Sequence, residues 1–234
     1  MSKIRHTNTT RPRRFGPFGY PFGGAGRERP LVACWVLGML AALLPDAGVV
    51  TLVPVVGYLV RVLDASAVGD EAPEMGADVA KLLRQGVGGV AVAVGYLTVP
   101  GVALLVTVYG ATTTSAGAGI GAGQGVALYA GSTVVLSLFL LAAYLVPAGI
   151  AVYAKQESLR AAFSIASVTP LAGHAAYFSR WMAGAVALSM ASAVASVSLQ
   201  VHRAGPVIAS LLAVYGAVLA CHVWGRGVAL ARER

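Results

Sequence analysis

Residues 31–60 read LVACWVLGMLAALLPDAGVVTLVPVVGYLV: two apolar runs, 31–44 and 47–60, joined by Pro45-Asp46-Ala47-Gly48. A proline followed by Asp and Gly is turn chemistry, and it interrupts a helix. Each run holds only about 14 residues, fewer than the ~20 that cross a bilayer as a helix. The stretch therefore reads as two short spanning helices, a re-entrant hairpin or one kinked span. The choice among these sets the side of the membrane on which every later segment lies.

Four longer apolar runs follow at roughly 87–109, 126–153, 181–201 and 206–224, each long enough to span. If 31–60 goes in and returns, residues 1–30, 61–84, 154–180 and 225–234 share one face and carry all but one of the 17 Lys and Arg. The opposite face, formed by 45–48, 110–125 and 202–205, carries Arg203 alone. A single crossing would part the basic tail from the basic loops that follow it. Lys and Arg concentrate in cytoplasmic loops, so the hairpin is favoured. It gives six membrane segments with both termini in the cytoplasm. A spanning pair and a re-entrant pair preserve sidedness equally, and both stay open.

Composition supports the same class. Of 234 residues, 57% are apolar and 11% charged, with a mean hydropathy of +0.76. A soluble domain carries about a quarter charged residues, and disordered chains are poor in apolar ones. A polytopic helical membrane protein is left. The net charge of +8 is concentrated in residues 1–30, where Lys3, Arg5, Arg11, Arg13, Arg14, Arg27 and Arg29 face Glu28 alone. With Pro12, Pro17, Pro21 and Pro30 this reads as a flexible basic cytoplasmic tail near anionic lipid. Nucleic acid, the other use of such an arm, is not expected as a partner. Residues 31–231 form a single transmembrane domain. Arg13-Arg14-Phe15 lies too far ahead of the first apolar run to read as an export signal, and no cleaved signal peptide is expected. The Gly-rich stretch 111–125 lacks a closed phosphate-loop motif and reads as a connector.

Two segments read as cytoplasmic interfacial helices. Met75 to Gly86 sets Met75, Val79, Leu82 and Leu83 on one face, and Glu157 to Val168 sets Leu159, Ala162, Phe163 and Ile165 likewise, ended by Thr169-Pro170. Such helices lie flat at the headgroup boundary. Each follows a membrane segment that ends in a basic residue, as a parallel internal repeat would.

Chemistry-bearing groups are sparse. His6, His174, His202 and His222 are scattered, and Cys34 and Cys221 belong to no CxxC or Cys/His spacing. No metal, cofactor or catalytic residue is therefore expected. No G-x-S-x-G elbow, HExxH, P-loop or pair of intramembrane carboxylates occurs. Asp46 is the one acid near membrane depth. On a spanning hairpin it is an exposed turn residue, and on a re-entrant one it is a site candidate. Ser192/Ser196 and Ala191/Ala195, with Gly88, Gly95 and Gly101, read as small residues for close helix packing. Tyr58, Tyr153, Tyr177, Trp181 and Trp224 read as an aromatic belt at the inner boundary.

Several of these features together resemble a known family. Gly57-Tyr58-Leu59-Val60-Arg61-Val62-Leu63, the acidic Gly69-Asp70-Glu71-Ala72-Pro73-Glu74, and Gly86 leading to Tyr96 and Pro100 carry the likeness. Pro147, Tyr153-Ala154-Lys155, Ala162-Phe163, Pro170, Tyr177, Trp181 and Trp224-Gly225-Arg226-Gly227 follow in order. The set is similar to the uncharacterised polytopic membrane proteins called domain of unknown function 4013, common in haloarchaea, over about residues 18–231. In place of that family's Asp-Trp pair and second Asp, this chain has Met75-Gly76-Ala77 and Gln85. The resemblance implies a membrane protein and no catalytic residues.

The expectation is thus a non-enzymatic integral protein of the cell membrane that organises lipid or binds a membrane partner or itself. Tyr58, Arg61 and Arg226 are the interface candidates. Arg61 and Arg226 would meet anionic headgroups or tie the 31–60 hairpin to the last helix. The alternative is a small permease whose path runs along the broken 31–60 stretch, since interrupted helices free backbone groups for ligands.

Overall fold

The computed structural model describes residues 28–43, 48–69, 78–115 and 122–233. Among them there are eight helices and no strand. They are α1 (Glu28–Leu43), α2 (Gly48–Val68), α3 (Val79–Ser115), α4 (Ala122–Gln156), α5 (Leu159–Ala162), α6 (Ile165–Ala172), α7 (Ala175–Ser198) and α8 (Gly205–Arg232). Five of these, α2, α3, α4, α7 and α8, are long and apolar enough to cross a membrane. The all-helical, multi-pass class therefore stands. With 16 residues, α1 reaches about 24 Å, short of a hydrocarbon core of ~30 Å.

Two boundaries differ from the sequence reading. The second apolar run was expected to be short, yet α2 continues past Val60 to Val68, 21 residues in all. Its polar residues beyond the run have partners inside the bundle: Arg61 bonds Gln85 and Ser66 bonds His222. A helix whose polar groups are satisfied by neighbours need not stop where its apolar run does.

The first interfacial helix is likewise not separate. Val79–Gly86 forms the opening turns of α3, one continuous helix of 37 residues, while Met75–Ala77 lie outside the described residues. Gly86, Gly88 and Gly89 ought to weaken a helix here, but packing overrides that preference. Helices α2 and α3 cross backbone to backbone, so a Cβ on Gly57 would strike the Leu82 carbonyl and one on Gly86 the Val53 carbonyl.

The second expected interfacial helix is two short ones, α5 and α6, broken at Phe163-Ser164. The Ser158 side chain caps α5 by accepting from the Ala161 N–H at 3.4 Å. Thr169-Pro170 does not end α6. The Gly173 N–H closes the last turn on the Thr169 carbonyl at 2.8 Å, so the proline removes one bond only. Ala162, Val168 and Leu171 are buried, whereas Leu159, Phe163 and Ile165 stay exposed, the apolar face that an interfacial helix offers to lipid.

Two antiparallel hairpins frame the bundle. In the α3–α4 pair the Tyr153 ring covers Gly88, and Gly149 meets Tyr96 and Val92. In the α7–α8 pair the Trp224 indole covers Gly184, and Gly216 meets Ala191. Helix α2 packs between them, with Gly225 of α8 against the Leu63 carbonyl. Helix α1 folds back on α2, where Cys34 and Gly38 face Leu52, Val55 and Leu59.

The core gathers at one end of this frame, around Tyr58, Val62, Leu63, Ala148, Tyr177, Val218 and Val228. The far halves of α3 and α4 leave Val99, Leu105, Val106 and Leu138 exposed. Polar residues collect at the core end, where Asp64, Lys81, Lys155, Glu157 and Arg232 border one depression. Arg84 pairs there with Glu157. Among the described residues, the basic groups of 61–69, 78–84 and 154–156 and Arg232 thus gather at one end of the bundle, while residues 1–27 lie outside the described ones.

Candidate functional site

Pro147 in the middle of α4 cannot donate to the carbonyl four residues back, which leaves that of Ala143 without its helical partner. Trp181 of α7 supplies the donor, its Nε1–H reaching the Ala143 oxygen at 3.3 Å. One residue on, the Tyr177 hydroxyl donates to the Tyr144 carbonyl at 2.9 Å, and the Tyr144 hydroxyl donates to Ala172 at the end of α6.

The same device recurs across the molecule. The Tyr96 hydroxyl donates to the Ala162 carbonyl at 2.8 Å, the Tyr153 hydroxyl to Arg84 at 3.1 Å, and Trp224 Nε1–H to Trp181 at 3.0 Å. In hydrocarbon an unmet polar group costs several kcal/mol, so each of these bonds stitches two elements together. This revises the aromatic-belt expectation. Tyr58, Tyr153, Tyr177 and Trp181 are buried and hold the bundle rather than ringing it.

Beside this aromatic cluster α4 and α7 part, and their backbones scarcely approach one another beyond it. The space between them is a cleft of about 750 Å³, open on its side to the surroundings of the two candidate spans. Leu140, Leu141 and Tyr144 form one wall, and Phe178, Met182, Val186 and Met190 much of the other. Rings at its base stack edge-on, with Tyr144–Trp181 centroids 5.2 Å apart and Tyr144–Phe178 5.9 Å apart. The Tyr144 hydroxyl is already spent on Ala172, so the cleft presents almost purely apolar walls.

The residues singled out from the sequence do not meet at one place. Asp46, with Pro45, lies outside the described residues. Tyr58 is 3% exposed, in the core. Arg61, half-buried, turns toward the start of α3: its Nε–H donates to Gln85 Oε1 at 2.9 Å and Nη2–H to the Asp78 carbonyl at 2.7 Å. These two bonds tie α2 to α3. Helix α2 is tied to the last helix by Ser66 Oγ and His222 Nδ1, 2.8 Å apart, and by the Leu63–Gly225 contact. Arg226 is exposed on α8, beside Arg180 of α7.

Of the small residues, Ala195 is buried and Ala191 packs on Gly216. Ser192 and Ser196 face outward, and Gly101 has nothing near it. Ser66, Gln85, Tyr144 and Arg180 were not chosen from the sequence as interface or site residues. Gln85 stands out in the sequence only as a departure from the family pattern. Among the described residues no three His, Cys, Asp or Glu side chains converge as metal ligands would.

The family model described as protein of unknown function, DUF4013, matches residues 40–200. The chain belongs to this family. No curated protein and no solved structure is significantly similar to it. The match covers α2 to α7, and thus takes in both walls of the cleft and the crossing at Gly57 and Gly86.

Proposed function

We propose that this family member works in the membrane without catalysing a reaction, as a helical scaffold that holds lipid, with the α4–α7 cleft as the seat of a hydrocarbon chain. The cleft is the observation that carries this reading. Its walls are large and flexible, with Leu, Phe and two Met residues that adapt to a mobile chain. Close docking of another membrane helix favours small residues, and α7 has already committed Gly184 and Ala191 to α8. A gap left between helices forfeits dispersion contacts on both walls, so a hydrocarbon chain stabilises the open form.

A permease path along α1 and α2 has less support. The space of about 260 Å³ between α1, α2 and α8 is apolar apart from Cys34 and Ser210, and Pro54 is not among its lining residues. By the distribution of Lys and Arg, the end of the bundle that bears the core and the basic groups faces the cytoplasm of a cell-membrane protein.

The test is lipid retention. Ser189→Trp and Val186→Trp fill the cleft from exposed positions. Mass spectrometry of the purified protein should show fewer retained lipids per chain in both variants, with helicity unchanged. Equal retention in wild type and filled variants would sink the reading.

A further inference from the structure

We propose that Arg180 and Arg226 form a two-arginine clamp for the phosphate of an anionic membrane lipid, on the side of the α7–α8 hairpin. The proposal goes beyond the lipid-holding reading above: it places a second lipid on the face of α7 that turns to α8 and away from the cleft. The two residues come from antiparallel helices and stand at matching depth. Arg180 follows the start of α7 by five residues, and Arg226 precedes the end of α8 by six. Each is thus about 8–9 Å inside its helix end, where a long side chain reaches the headgroup layer.

Gly227 brings them together. A Cβ there would lie 2.8 Å from the Arg180 Cβ, so only a bare Cα lets the Arg180 stem cross α8 next to Arg226. Both arginines lie in the neighbourhood of one imidazole, His222, whose Nδ1 is 2.8 Å from Ser66 Oγ. Both arginines are exposed. Among the described residues neither has a hydrogen bond or ion pair, while Arg61, Arg84 and Arg232 are each engaged.

Two cations held side by side repel unless an anion lies between them, and two guanidinium forks match the oxygens of a phosphate. The surface beyond them points to a lipid. Ala183 and Val194 lie on the helical face of Arg180 and are exposed and apolar, a track for the chain that a headgroup carries.

The experiment uses the full chain in mixed phosphatidylglycerol and phosphatidylcholine micelles, reading the ratio of the two bound lipids by native mass spectrometry. Arg180→Gln and Arg226→Gln should each lower the ratio about fivefold and the double variant about twentyfold. Lys155→Gln should leave it within about twofold. Gly227→Ala keeps every charge but pushes the Arg180 stem aside, and should lower the ratio severalfold, which general basicity alone would not do. It also serves if the double variant does not fold.

An unchanged ratio in the double variant overturns the clamp. The same ratio with a lowered Tm would mean that the arginines pair with this chain's own Asp70, Glu71 or Glu74, and also overturns it. Displacement of the lipid by tens of millimolar inorganic phosphate would assign the site to a soluble anion instead. Total lipid retained in the cleft should be equal in all these proteins, so a failure of the clamp and a failure of the lipid-holding reading give different results.

Discussion

Single residues set how closely the helices approach. Gly57 and Gly86 are reciprocal, each facing a carbonyl of the other helix, and backbone carbonyls have no rotamer by which to yield. Gly86→Ala should therefore destabilise the protein by about 2–3 kcal/mol, read as a lower Tm in detergent. Gly101→Ala, with open space around it, should be neutral or slightly stabilising through helix propensity. The Arg61–Gln85 bond is a second residue-scale test. Gln85 is 8% exposed, so Gln85→Leu leaves the Arg61 guanidinium short of an acceptor and should cost about 1–3 kcal/mol. Gln85→Glu replaces a neutral acceptor with a charged one and should raise stability by about 1 kcal/mol. A loss of Tm in the Glu variant would show that desolvation of the new charge outweighs the pairing. Glycine spacing was legible as packing, yet the chain alone could not show that Gly88 takes a tyrosine ring while Gly101 takes nothing.

At the scale of elements, α4 shows how a break becomes a joint. Pro147 strips one donor from the helix, and α7 returns it from Trp181. Trp181→Phe keeps most of the ring contacts but leaves the Ala143 carbonyl unmet. It should cost about 1–2 kcal/mol and speed amide exchange at the start of α7, measurable by hydrogen-exchange mass spectrometry. The existence and order of the long helices were plain from apolar runs. Their ends were not, because Lys81 and Arg84 of α3 read as a separate interfacial helix, and Arg61 and Asp64 of α2 as lying past its apolar run, until their partners are seen. Nor were the faces legible. Helices such as α4 and α7 are apolar nearly all round, so no stripe separates the side that meets protein from the side that meets lipid. That is why Trp181 and Tyr177 read as belt residues and prove to be core.

For the whole molecule the sparse charges label one end. Reporter fusions at Gly119 and Ile165 should lie on opposite sides of the membrane, 119 outside and 165 in the cytoplasm. The reverse result would overturn the orientation. The distribution of ties has a mechanical outcome as well. Helix α4 packs on α3 and α7 on α8, while among the described residues α4 and α7 are joined to each other where Tyr144, Tyr177 and Trp181 meet. Like two blades riveted at one point, they can spread or close without breaking a hydrogen bond in either hairpin. Few contacts cross the gap between them, so its width should respond to the lateral pressure of the membrane around it.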